Sequence, residues 1–306
     1  MAIDFVEIGE RLRAYRMGAG LTPEDVAQQL EISRAALYKY EKGGVIKLET
    51  IEKLAQLLKV SVPSLLGVGV EYFANPVAYY ERKRQLEERA DQVIVYFEPL
   101  SFVLMSGDYV SHLRRMLTET IPDGFPDREA ALTQIDRVME ILQNRHDQAW
   151  HQRKSIISLV SAIQVQRVLR TGLVGSYNLS KREVEERRHL ARVEVERMAA
   201  LMESEPIGVQ IGVIEDTMPN QTFQIFRERE KTWVAVSPFR LGEFPNIRAG
   251  VASITAAPDA VTLYEQLASD LWSRAYKGER GAQFLRRLIA ESGSFGVRVP
   301  LRSLSK

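Results

Sequence analysis

The chain contains no cysteine and only four histidines. The first absence excludes disulfides, thiolate metal sites and a cysteine nucleophile, and it fits a reducing cytoplasm. The histidines are scattered at His112, His146, His151 and His189. His146 and His151 are five residues apart, about 140° around a helix, so they share no face and no metal site is expected. No glycine-rich loop precedes a Lys-Ser or Lys-Thr pair, and no Gly-x-Ser-x-Gly elbow occurs, so a phosphate-binding loop and a serine-hydrolase site are not expected. Glu215-Asp216 is an adjacent carboxylate pair, read here as a strand-end turn rather than an acid–base site. No enzyme activity and no cofactor are expected. Long apolar runs are also missing. The longest apolar-rich stretch, Val93 to Met105, is interrupted by Glu98 and Pro99 and is too short to span a bilayer. The opening Met-Ala-Ile-Asp-Phe-Val-Glu lacks the basic start and apolar core of a secretory signal. A cytoplasmic protein without membrane association is the expectation.

What remains is an ordinary globular composition, 45% apolar and 26% charged, in 306 residues, enough for two or three domains. The net charge of +1 argues against a non-specific nucleic-acid coat. The charge is uneven, however. Between Ser33 and Lys47 stand Arg34, Lys39, Lys42 and Lys47 against Glu41 alone. Arg11, Arg13 and Arg16 add to the basic character of the first helix. A domain polarised in this way can still meet phosphate on one face.

The first 67 residues are the most explicit. Ile8, Leu12 and Tyr15 recur at helical spacing, predicting a helix from about Val6 to Met17. Thr22 is a good N-cap, Pro23 suits the first helical position, and Asp25 sits in the first turn. Val26, Ala27 and Leu30 form the inner face of this second helix. Glu31-Ile32-Ser33 is a turn, Ser33 caps a third helix with Leu37 inward, and Gly43-Gly44 ends it. Leu48, Ile51, Leu54, Ala55 and Leu58 share one face of a fourth helix, and Val62 to Leu66 suggests a fifth. Two short helices joined by a tight turn are the layout of a helix-turn-helix, which places one helix in the DNA major groove.

Residues 8–66 resemble the Xre/Cro family of phage-repressor-type DNA-binding domains. The resemblance rests on Leu21-Thr22, Val26-Ala27, Leu30, Ile32-Ser33-Arg34, Leu37, Glu41, Gly43, Leu48-Glu49-Thr50-Ile51, Leu54-Ala55 and Val60-Ser61. It implies that Ser33, Arg34, Ala35, Ala36, Tyr38, Lys39 and Lys42 lie on or beside the reading helix. Arg34 would take a guanine bidentately, and Ala35 or Ala36 would meet a thymine methyl. Thr22 would bind phosphate. Arg16 and Glu41 would form a structural salt bridge. The chain departs from the family at three places. Glu31 replaces a turn glycine, and a left-handed backbone there would cost about 1–2 kcal/mol. Pro23 replaces a glutamine that contacts DNA, and the two alanines leave few hydrogen-bonding groups on the reading helix.

The remainder is less explicit. Gly67 to Pro76 reads as a linker, followed by a charged helix from Tyr79 to about Val95. Ser106–Thr118, Asp127–Asn144 and Ser180–Glu203 read as helices, and Ile156–Val168 is ambiguous, able to open as a strand and continue as a helix through Val165 and Leu169. Gly208–Ile214, Thr222–Arg227 and Thr232–Val236 suggest a meander of three antiparallel strands. Helices over Ala257–Leu271 and Ala282–Glu291 complete the chain. The aromatics Tyr96, Phe97, Phe102, Tyr109, Phe223, Phe226 and Trp233 read as core, with a cavity for a small apolar effector as the other reading. This region loosely resembles the effector part of actinobacterial Xre-type regulators in Leu86–Ala90, Tyr96–Tyr109, 208–226 and Pro258–Ala275. That family's Pro-Gly-Leu-Leu-Gln-Thr element appears only as Phe102–Gly107.

The expected fold is mostly α, with a five-helix domain over 1–67 and a linker over 68–78. A helical region over 79–206 and a small antiparallel sheet with helices over 207–306 would form an α+β domain. The expected function is sequence-specific binding of double-stranded DNA at a palindromic operator by a homodimer. Residues 79–306 would provide dimer contacts and receive a small-molecule or protein effector. The alternative is an antitoxin-like interaction module that also binds DNA.

Overall fold

A computed structural model describes residues 4–96, 102–151, 154–216 and 218–293. Five helices open the chain: α1 (Phe5–Gly18), α2 (Pro23–Gln29), α3 (Arg34–Glu41), α4 (Leu48–Leu58) and α5 (Val62–Leu66). Local chemistry sets their starts. The Thr22 side chain accepts from the Asp25 amide while Asp25 accepts from the Thr22 amide, a reciprocal capping box with Pro23 at the first helical position. Ser33 caps α3 by accepting from the Ala36 amide, and Ser61 caps α5 in the same way. Ile8, Leu12, Val26, Leu37, Leu54 and Leu65 point inward and are fully or almost fully buried. Gly9 lets α1 approach the end of α3 closely, since a Cβ there would come 2.4 Å from the Tyr40 carbonyl oxygen.

The elements that follow are β1 (Val70–Phe73), α6 (Pro76–Arg89), β2 (Gln92–Tyr96), a short 3-10 turn, α7 (Gly107–Glu119) and α8 (Arg128–His151). Then come β3 (Ser155–Ser161), α9 (Ala162–Thr171), α10 (Lys181–Ser204), β4 (Val209–Ile214), β5 (Thr222–Arg227) and β6 (Thr232–Ser237). The described part ends with β7 (Ala252–Thr255), α11 (Pro258–Arg274) and α12 (Gly278–Gly293).

The small antiparallel sheet expected from the sequence is instead one seven-stranded mixed sheet, ordered β1-β7-β6-β5-β2-β3-β4. β2, β3 and β4 run parallel, and the remaining pairs are antiparallel. The expected three-strand meander is also corrected. β5 and β6 pair, but β2 and β3 stand between β5 and β4. The physical reason lies in β2 and β3. Val93 to Tyr96 and Leu159 to Ser161 are buried residue after residue, so they show none of the alternation that marks a half-exposed strand. The charged helix predicted to reach Val95 ends at Arg89, and the chain turns back as β2. Within the stretch read as linker, Val70–Phe73 pairs with β7.

One sheet face, carrying Val93, Val95, Phe226, Trp233 and Ala235, shares a continuous core with the five N-terminal helices. The opposite face, with Ile94, Tyr96, Phe223, Ile225 and Val234, packs against Ala268 and Leu271 of α11 and Ala275 just after it. Tyr96, Phe102, Tyr109, Phe223, Phe226 and Trp233 are all core residues, at most 3% exposed. Phe97 and the side chain of His151 lie outside the described residues. The Glu215-Asp216 pair is tied down at the end of β4. Glu215 accepts from the Tyr276 hydroxyl at 2.9 Å, and Asp216 pairs with Arg274. Among the described residues no helix is long and apolar enough to cross a membrane.

Candidate nucleic-acid interface

The exposed face of α3 starts from the inward turn of Leu37. Its burial at the centre of α3 forces the neighbouring positions of the helix outward. Ser33, Arg34, Ala35, Tyr38, Lys39 and Lys42 are exposed, and Ala36 is half-buried. Helix α3 is held from behind by Arg16, whose Nε and Nη2 donate to the two carboxylate oxygens of Glu41 at 2.5 and 3.1 Å. Arg16 Nη1 also donates to the Leu21 carbonyl at 2.9 Å, so one guanidinium joins α1, the turn before α2, and α3. The turn between α2 and α3 passes through Glu31 at φ 53°, the left-handed region that a glycine would occupy without strain.

Arg34 is not a free cation. Its Nη1 pairs with Glu24 at 2.7 Å, its Nη2 donates to the Tyr38 hydroxyl at 3.2 Å, and its guanidinium lies over the Tyr38 ring, 5.3 Å from the centroid. These contacts raise the Arg34 pKa, the Tyr38 hydrogen bond first and the Glu24 charge second. Glu24 was not among the residues singled out from the sequence. Its signal was present only as an acid in the first turn of α2, and its place beside Arg34 depends on the turn between the helices. Thr22 is exposed at the start of α2, but its hydroxyl already donates to Asp25 at 2.7 Å. That hydroxyl, with the Thr22 amide, lowers the Asp25 pKa.

The opposite side of α1 is fixed to the rest of the chain by buried charge. Arg11 bonds Glu7 and Glu71, each at 3.2 Å, and Arg82 of α6 bonds Glu71 and Glu10. Arg89 reaches both Glu10 and Glu228, and Lys231 reaches Glu7 at 2.8 Å. Trp233 lies between two of these cations, with Arg82 at 5.1 Å and Lys231 at 4.1 Å from its ring. Burial pushes the Glu7 carboxyl up, but Lys231 and Arg11 outweigh it and hold it below the usual range. The N-terminal helices are therefore docked on α6 and the sheet through satisfied ion pairs. Among the described residues, no cluster of histidines and carboxylates could hold a metal ion.

Residues 7–66 match a family model described as a helix-turn-helix domain. This part of the chain is a helix-turn-helix domain. It is similar to the HTH-type transcriptional activator BcrR of Enterococcus faecalis, with 36% identity over 63 residues, 20% of this chain and 31% of that protein. It is also similar to the HTH-type transcriptional repressor RghR of Bacillus subtilis (strain 168), with 37% identity over 87 residues, 27% of this chain and 64% of that protein. The chain thus spans less than two thirds of the length of either relative. With the domain assigned, α2 and α3 are the two helices of the motif and α3 is its second.

Proposed function

We propose that the protein is a sequence-specific regulator of transcription that binds double-stranded DNA with α3 in the major groove. The exposed row Arg34, Ala35, Tyr38 and Lys39 beside buried Leu37 carries this reading. Arg34 reads a guanine edge with two parallel donors, and Ala35 contacts a thymine methyl. Lys39, Lys42 and the Ser33 and Thr22 hydroxyls face the flanking phosphates. With so few polar groups on α3, DNA shape supplies part of the selectivity. Two half-sites a helical turn apart call for a homodimer, with residues 79–306 providing the contact and receiving a small-molecule or protein signal. The relatives' names, one activator and one repressor, support regulation as the outcome of binding.

The test is selection of duplexes from a random library by the full chain, followed by footprinting. The Arg34→Ala, Lys39→Ala double variant should lose the selected sequence while melting as wild type. One good bidentate base contact is worth about 1–3 kcal/mol of discrimination. A footprint unchanged by the double substitution would remove α3 as the reading helix.

A further inference from the structure

We infer that α8, outside the helix-turn-helix domain, adds a DNA-backbone contact through Arg137; this rests on the DNA-binding reading above. The observation is a cleft of about 780 Å³ whose one wall is the end of α1 and the start of α2, including Arg13, Gly20, Leu21, Thr22 and Pro23. The other wall is α6 and α8, including Arg84, Arg137 and Glu140. Arg137 crosses to the first wall: its Nη1 lies 3.0 Å from where a Cβ on Gly20 would stand. Gly20 holds φ +74°, so glycine there serves both the turn and this approach.

The cations of the cleft are not equivalent. Arg13 is bound to Glu81, Arg84 to Glu81 and Glu88, and Arg16 to Glu41. Arg137 is exposed and makes no hydrogen bond or ion pair among the described residues. Arg34 and Arg137 therefore bracket the start of α2, Arg34 through its pair with Glu24 and Arg137 through Gly20. A duplex read by α3 and running past the start of α2 would bring its next phosphate to Arg137. Glu140 lines the same cleft one turn along α8 and repels a phosphate on its side, which favours the contact at Gly20.

The contact needs α8 to stay beside α2, and the fold provides for that. α8 packs on α6, and α6 is fixed to α1 by the pairs of Arg82 and Arg89 with Glu10. The backbone that carries Arg137 is thus set in place before DNA arrives, and only its side chain is ordered on binding.

The experiment measures affinity of the full chain for two duplexes of about 30 base pairs, one of random sequence and one selected by the protein, between about 50 and 200 mM salt. Arg137→Ala should weaken both by a similar factor, about three- to tenfold, and reduce the salt slope by about one. Arg137→Glu should weaken both further, and Arg137→Lys should stay within about twofold of wild type, since a phosphate accepts either cation. The Arg34→Ala, Lys39→Ala variant separates the two ideas. If it loses the selected duplex while Arg137→Glu binds both duplexes with wild-type affinity and slope, the α8 contact is overturned and the reading by α3 stands. If neither variant changes binding, the α3 reading fails and this contact fails with it.

Discussion

Arg82 of α6 donates from Nε and Nη2 to the two carboxylate oxygens of Glu71 in β1, at 3.0 and 3.2 Å, and neither side chain is more than 2% exposed. Glu71 also accepts from Arg11 of α1, so one carboxylate is shared by two buried guanidiniums from two parts of the chain, with Glu7 and Glu10 supplying further negative charge. Ions withdrawn this far from water are stable only as a matched set. Glu71→Ala should leave Arg11 and Arg82 short of a partner and lower stability by about 3–5 kcal/mol in urea unfolding. A loss below about 1 kcal/mol would show that water reaches the pair and that it does not fix the domain.

The helix-turn-helix was legible because each of its signals is local. Thr22-Pro23-x-Asp25 and Ser33 cap their own helices, and Leu37 marks its own inward face. Of the sheet, β4, β5 and β6 were legible as strands, but its extent and order were not, for the opposite reason. β2 and β3 are covered on both faces, so their apolar runs read equally well as helix, and β1 and β7 are only four residues each. What organises those two strands is their pairing with each other across more than half the chain, from Val70↔Thr255 to Phe73↔Ala252. The candidate site divides in the same way. Arg34, Tyr38 and Lys39 follow from the position of Leu37, whereas Glu24 and Arg137 come to the surface through contacts that no local pattern announces.

Glu31 is strained where it stands. Its φ of 53° places a Cβ-bearing residue in the left-handed region, and its side chain is exposed, so no buried contact compensates. Glu31→Gly should relieve that strain, offset in part by the greater freedom of glycine in the unfolded chain. The expected net gain is about 0.5–1 kcal/mol, read as a higher urea midpoint at unchanged slope. A lower midpoint would mean that the Glu31 carboxylate makes a favourable contribution in the folded domain.

His112 introduces a pH dependence near neutrality. Burial lowers its pKa, the Leu173 carbonyl and Glu119 pull it back up, and Arg187 and Arg115 lower it further, leaving the group below its ordinary 6.5. Nε2 lies 2.9 Å from the Leu173 oxygen, and Arg187 Nη1 lies 2.9 Å from both Nδ1 and Nε2. A proton on Nε2 lets the neutral ring donate to the carbonyl, whereas a protonated ring would set a second positive charge against the guanidinium. As pH falls through about 6.5 the unfolded chain takes up a proton that the folded one resists. Stability is therefore fully present above that pH and declines toward the depressed folded value. The melting temperature should fall between about pH 7.5 and 5.5. His112→Gln keeps one donor and one acceptor without titrating and should flatten that slope; an equal slope in the variant would assign the dependence elsewhere.

Glu24 and Arg34 form an exposed pair, 52% and 60% accessible, of the kind that contributes little to stability. Under the proposed reading by α3, its consequence lies in DNA binding. Glu24 holds the Arg34 fork in one posture from one side while Tyr38 holds it from the other, and it also places a negative charge beside the approaching phosphates. Glu24→Gln removes that charge, so affinity for a random-sequence duplex should rise by about two- to fivefold at low salt. The same change frees the Arg34 fork, so the ratio of affinities for selected and random duplexes should fall. Fluorescence anisotropy with both duplexes separates the two effects, and Tyr38→Phe should lower the ratio without raising affinity for the random duplex. A ratio unaltered in both variants would show that Arg34 finds its base equally well unaided, and that the Glu24–Arg34 pair is broken and replaced when DNA binds.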